Sequence, residues 1–141
     1  MKMEVKERLT KDEWVPPRAM GKLAEPVYPV SALAGGAGPV VMSVRLVVDT
    51  EGTVAEVGPS GRAWSTPTPW AAEFRAAIDA AVGQWRFRPA EVRHFTTVTN
   101  AQGTYRSMTG SEPTEWALHV AFSFKVSGGV VVETRSAGGG K

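Results

Sequence analysis

The chain contains no cysteine, which excludes disulfide frameworks, thiolate nucleophiles and cysteine-bound metal sites together. Histidine is nearly as scarce. His94 and His119 are the only two, and neither stands in metal-ligand spacing with another histidine. No carboxylate cluster of the EF-hand type appears. Charge of one sign is lacking too: 16 Lys and Arg face 14 Asp and Glu. The basic residues are scattered, so there is no electrostatic footprint for nucleic acid. No apolar run approaches the roughly 18 residues needed to cross a bilayer. Residues 1–20 carry mixed charge without the apolar centre of a signal peptide. An anchor or export signal is therefore expected outside this chain or not at all.

Catalytic signatures are missing as well. There is no Gly-Xaa-Ser-Xaa-Gly elbow and no phosphate-binding loop with its lysine. Gly35, Gly36 and Gly38 precede a strand-like run rather than a helix, the wrong context for a dinucleotide fold. These absences point away from an enzyme, and no cofactor or metal is expected.

At 141 residues, 43% of them hydrophobic, the chain is long enough for one domain with a core of its own. Residues 1–24 read as a charged linker or docking segment, interrupted by Pro16-Pro17. Glu25-Pro26-Val27-Tyr28-Pro29 must be extended, because a residue before proline is pushed toward β or polyproline geometry. Val40 to Val48 is the clearest strand, with Val40, Met42, Val44, Leu46 and Val48 on one face by period-two alternation. Asp49-Thr50-Glu51-Gly52 reads as a turn and Thr53 to Val57 as the returning strand.

Thr66-Pro67 and Thr68-Pro69 each offer a hydroxyl cap followed by proline, a helix start. Phe74, Ile78, Ala81 and Trp85 then form one apolar stripe, which predicts a helix running to Trp85 or Phe87 and stopped by Pro89. Residues 92–108 read as a hairpin turning at Asn100-Ala101-Gln102-Gly103. Trp116 to Val126 is the final strand, and 129–141 a flexible tail. The stripe requires an apolar sheet face, supplied by 40–48 and 118–126. The expected fold is α+β: a small three-stranded antiparallel sheet with one long helix on one face. The hairpin at 92–108 either extends that sheet or covers its edge.

Several aromatic and basic residues have two readings. Trp85 and Phe87 serve as core or as a ligand platform. Arg86 and Arg88 either bond helix-terminal carbonyls and the facing loop or sit in solvent. Trp64, Trp70 and Trp116 line a glycan or small-molecule site or pack locally. His94 reads as a hairpin surface residue, and His119 as a solvent-face or edge residue.

With catalytic groups absent, backbone chemistry remains. A sheet edge presents unpaired N–H and C=O groups, and an extended peptide can add there as another strand. Each hydrogen bond contributes about 0.5–1.5 kcal/mol net, which implies weak to moderate affinity.

Residues 25–128 resemble the C-terminal domain of TonB-type energy transducers, related in fold to that of TolA. The resemblance rests on Tyr28-Pro29, on Gly38 followed by the run Val40 to Val48 and Asp49-Thr50-Glu51-Gly52, on Trp85-Arg86-Phe87-Arg88-Pro89, and on Phe122-Ser123-Phe124-Lys125-Val126. It implies a periplasmic domain that pairs its last strand with the box peptide of an outer-membrane receptor. Carried over, the pairing strand is Val120, Ala121, Phe122, Ser123, Phe124, Lys125 and Val126. The receptor-contacting segment is Glu25, Val27 and Tyr28. Tyr28, Pro29, Gly38, Trp85, Phe87 and Pro89 are the structural signature. The resemblance further implies a link to the proton-channel complex of the inner membrane through an N-terminal anchor, expected upstream of this chain. The alternative is a standalone assembly module that dimerises through sheet edges.

Overall fold

Residue Val40 begins the strand on which the whole protein is organised. The computed structural model describes residues 5–61, 64–126 and 129–136, with side-chain surroundings for 11–61 and 64–126. In chain order the elements are β1 (Val5–Val15), β2 (Arg18–Ala19), α1 (Val30–Ala34), β3 (Val40–Val48), β4 (Val54–Pro59) and α2 (Ala71–Val82). They continue with β5 (Phe87–Arg88), β6 (Ala90–Asn100), β7 (Gly103–Thr114), β8 (Trp116–Lys125) and β9 (Gly129–Ser136). Three antiparallel sheets result, in the orders β4-β3-β8-β9, β1-β6-β7 and β2-β5.

The core lies between the four-stranded sheet and α2. Val40, Met42, Val44, Leu46 and Val48 of β3 are buried, as are Trp116, Leu118, Val120, Phe122 and Phe124 of β8. Onto them pack Phe74, Ile78 and Val82 of α2, together with Trp85 and Phe87. Phe74 meets Phe124 edge-on at 4.8 Å, and Trp85 lies 5.8 Å from Phe122. Each large side chain buried this way contributes about 1.5–3 kcal/mol, so this cluster is the main source of stability.

The α+β expectation of one long helix on a three-stranded sheet is corrected. Among the described residues strands predominate and the two helices are only 5 and 12 residues long, so the protein is β-dominated. The apolar stripe continues to Trp85, but α2 stops at Val82. Gly83 closes it, its N–H bonded to Asp79 O at 3.1 Å, and tight turns at Gln84 and Trp85 follow. Pro89 does not end the helix. It separates the two-residue β5 from β6, where a missing N–H falls between two ladders and interrupts neither.

The N-terminal segment is the second difference. Residues 5–15, expected as a linker, form β1, paired with β6 from Val5–Asn100 to Val15–Glu91. A two-stranded hairpin is marginal in water, whereas three strands gain a shared face. Val92, Thr96 and Val98 of β6 are buried, outside the main core cluster apart from neighbouring Ala90. On the opposite face Arg106 stacks 4.1 Å from the Phe95 ring and reaches Glu13 at 3.7 Å. Residues 129–136, expected as part of a tail, form β9, while 137–141 lie outside the described residues.

Candidate functional site

Strand β8 was expected to be an open edge, and that is the main correction at the site. On one side it pairs with β3, from Val40–Phe124 to Val48–Trp116. On the other it pairs with β9, from Leu118–Ser136 to Lys125–Gly129. Val120, Ala121, Phe122, Ser123, Phe124 and Lys125 therefore lie in an interior strand. Val126 sits beyond its end in a turn and is exposed. The physical reason is the backbone itself, since an unpaired row of amides recruits whatever extended segment lies nearest. Among the described residues, β4 and β9 form the edges of this sheet, and β1 and β7 those of the other large one.

Beyond the end of β4, the same side of β3 is closed by a loop. Val41 N–H donates to Thr66 Oγ1 at 3.0 Å, and Ser43 N–H to Ser65 Oγ at 2.9 Å. Thr66 N–H returns a bond to Val41 O at 2.8 Å, and Ser43 Oγ donates to the Trp64 carbonyl at 3.0 Å. Thr66 thus seals a strand instead of capping a helix. The helix entry has no side-chain cap, although Trp70 N–H reaches Thr68 Oγ1 at 3.3 Å. Ser and Thr hydroxyls imitate backbone acceptors, but the sequence places Thr66 directly before Pro67, where helix capping is the stronger signal.

The segment before α1 is built into the core. Tyr28 packs edge-on against Phe74 at 5.2 Å and Phe124 at 6.2 Å, while its hydroxyl donates to Gly38 O at 2.5 Å. Pro29 immediately precedes α1, and its carbonyl accepts Leu33 N–H at 3.0 Å. Trp85 Nε1 donates to Ala24 O at 2.7 Å. Tyr28 and Ala24 thus anchor a short stretch from which Glu25 and Val27 project into solvent. Glu25 and Val27 remain available to a partner; Tyr28 is committed to packing.

The turn after β3 is fixed by Asp49. Its Oδ1 accepts the N–H groups of Glu51 at 2.9 Å and Thr53 at 3.0 Å, and its Oδ2 accepts the Thr53 hydroxyl at 2.6 Å. The Thr53 hydroxyl, then its amide, hold the Asp49 carboxyl below its ordinary value of 3.8. Gly52 has φ of 86° and its carbonyl accepts Phe87 N–H at 2.8 Å. A Cβ there would lie 1.9 Å from Phe87 O, so only glycine lets this turn seat β5.

Other singled-out residues separate. Trp116 is buried opposite Val48, Trp64 is exposed beside Ser43, and Trp70 packs on Gly35. The five residue steps of strand from Ser43 to Val48 span about 17 Å, which separates Trp64 from Trp116, so the three indoles do not share one glycan platform. Arg86 bonds the carbonyls of Gly83 at 3.0 Å and Trp85 at 2.8 Å, the helix-end role. His119 Nδ1 lies 2.8 Å from Ser60 Oγ. A cleft of about 310 Å³ opens between β3 and the first turn of α2. Arg75, at its rim, is engaged by Asp79 and the Val57 carbonyl.

Comparison with protein-family models and with curated proteins returns no match for this chain.

Proposed function

We propose that this chain is a protein-binding module, the receptor-engaging domain of a TonB-type energy transducer that takes an extended receptor peptide onto β8 in place of β9. The supporting observation is the ladder from Leu118–Ser136 to Lys125–Gly129, in which β8 accepts an eight-residue extended segment on the side away from β3. Strand addition draws affinity from main-chain bonds and selectivity from alternate side chains. Replacing β9 exchanges one set of bonds for another, so the net gain lies in the side-chain fit of the incoming strand. Three residues, 126–128, separate β8 from β9, and so short a connection gives β9 an effective concentration on the order of millimolar. Displacement is therefore the step that limits affinity.

In this reading Glu25 and Val27 give a second contact, the domain works in the periplasm, and coupling to the inner-membrane proton-channel complex runs through an anchor of the family's kind. The test is a titration of the full chain with a synthetic receptor-box peptide, followed by amide NMR. Residues 120–125 shift and those of 129–136 lose their strand positions. Val131→Pro with Val132→Pro removes donors from β9 and tightens binding. Shifts confined to other strands, or no binding by either protein at millimolar peptide, remove the proposal.

The short separation of β8 from β9 favours a second reading, exchange of β9 between two copies, because short hinges promote strand swapping. Sedimentation across a concentration series distinguishes the two. A dimer that peptide cannot dissociate supports self-association, and a monomer throughout removes it.

A further inference from the structure

Arg18 and Arg88 face each other directly across the β2–β5 ladder. Opposed residues of an antiparallel pair project on the same face with Cβ atoms about 4.5–5.5 Å apart, and like charges there repel. This ladder has only one other pair, Ala19 with Phe87, so one of its two cross-strand pairs is like-charged. Among the described residues neither guanidinium has a hydrogen-bond or ion-pair partner, unlike Arg86, Arg93 and Arg106. Both line a cavity of about 180 Å³ with Pro16, Pro89, Glu91 and Arg93. Arg93 Nε is held by Glu91 Oε1 at 2.5 Å, which neutralises that pair. Among the lining residues two positive charges remain in excess, on the Arg18 and Arg88 forks, while Glu13 faces Arg93 across the β1–β6 ladder.

We propose that this cavity is a binding site for a dianionic phosphate group, free or as a monoester headgroup. A carboxylate has two oxygens, which one guanidinium fork already occupies in a bidentate pair. A phosphate presents three or more around a tetrahedral centre, so two forks from adjacent strands engage it together. The prolines on either side fix the backbone from which the forks project. Binding turns the Arg18–Arg88 repulsion into a bridge. It therefore tightens the clip joining the end of β1 to the Trp85–Phe87 cluster, where Met20 N–H also meets Arg86 O at 2.8 Å.

The experiment follows arginine Nε–Hε signals of the full chain during titration with inorganic phosphate, at ionic strength held constant with sodium chloride. The Arg18 and Arg88 signals shift saturably, and more weakly bound monoanion at acidic pH requires more phosphate. Arg88→Gln and Arg18→Gln each weaken binding at least tenfold. Glu91→Gln, which leaves both forks in place and removes the competing carboxylate, strengthens it. A flotation arm compares phosphatidate vesicles with phosphatidylcholine vesicles. Arginine-dependent retention on phosphatidate assigns the site to headgroups, and phosphate binding without retention assigns it to soluble phosphates. Equal shifts with chloride alone, or saturation unchanged in both glutamine variants, overturn the proposal.

Discussion

His94 and Asp12, 82 residues apart in sequence, meet with Nδ1 and Oδ1 separated by 2.7 Å. The other ring nitrogen, Nε2, lies 2.6 Å from Glu112 Oε1. One imidazole therefore ties β1, β6 and β7 together. A neutral imidazole has a single N–H, so only the protonated ring donates to both carboxylates at once.

The pH dependence of that sheet follows from this geometry. Glu112 first, and Asp12 second, raise the His94 value above its ordinary 6.5. A raised folded-state value means the contribution is complete below pH 6.5 and is lost as pH rises through the elevated value. The protection of β1 amides, expressed relative to the base-catalysed exchange of an unstructured chain at the same pH, is expected to fall on the alkaline side of that window. His94→Gln flattens the dependence, and Glu112→Gln lowers the histidine titration midpoint more than Asp12→Asn does. A midpoint at or below 6.5 in the unaltered chain contradicts the bridge.

Asp49 responds in the opposite direction. Its folded value lies below 3.8, chiefly through the Thr53 hydroxyl. The stability it confers is present above 3.8 and is lost as pH falls through the depressed value. Thr53→Val should move the carboxyl titration, read by NMR, back toward 3.8 and reduce the acid sensitivity of unfolding.

The Gly52 turn separates close approach from general loop tolerance. Gly52→Ala places a methyl 1.9 Å from Phe87 O at a φ of 86°, and backbone strain of this kind costs about 1–3 kcal/mol or more. Gly58→Ala meets nothing within 4 Å and lacks a positive φ, so its stability should change by no more than about 1 kcal/mol. Denaturant midpoints of the two variants make the comparison.

Two core substitutions grade the packing around Tyr28. Phe74→Ala removes a fully buried ring and should cost about 3–5 kcal/mol. Tyr28→Phe keeps the ring against Phe74 and Phe124 but loses the bond to Gly38, about 0.5–1.5 kcal/mol. Equal losses for both would show that the hydroxyl, not the ring, holds the 24–28 segment.

How much of this was legible in sequence depends on the range of the interactions. Val40 to Val48 was readable to the residue, because its alternation is a local property of a half-buried strand. Trp116 to Val126 was readable to within one residue for the same reason, as was the turn at Asn100–Gly103. The stripe Phe74, Ile78, Ala81 and Trp85 was correctly apolar, yet its last member lies beyond the helix. Periodicity records which side chains face the core, and tight turns after Gly83 present Trp85 as effectively as another helical turn.

β1 was not legible. Its Lys, Glu and Asp residues show no apolar alternation, and what makes it a strand is the exposed edge of β6, whose residues lie some 80 positions away. β9 escaped for a similar reason, since its place is set by the open amides of β8 rather than by the glycines around it. Thr66 carried a local signal for helix capping, which lost to the unpaired Val41 and Ser43 amides of β3. The pairing of Arg18 with Arg88 carries no sequence signal, because only the β2–β5 ladder brings the two together.

The sequence by itself determined the apolar faces, the turns that need Gly52 and Asp49, and the absence of cysteine chemistry. These are matters of side-chain type and nearest neighbours. The tertiary structure alone decided which edges are filled, and by what. Backbone amides are the same in every residue, so their pairing is settled only when distant segments compete for them in space.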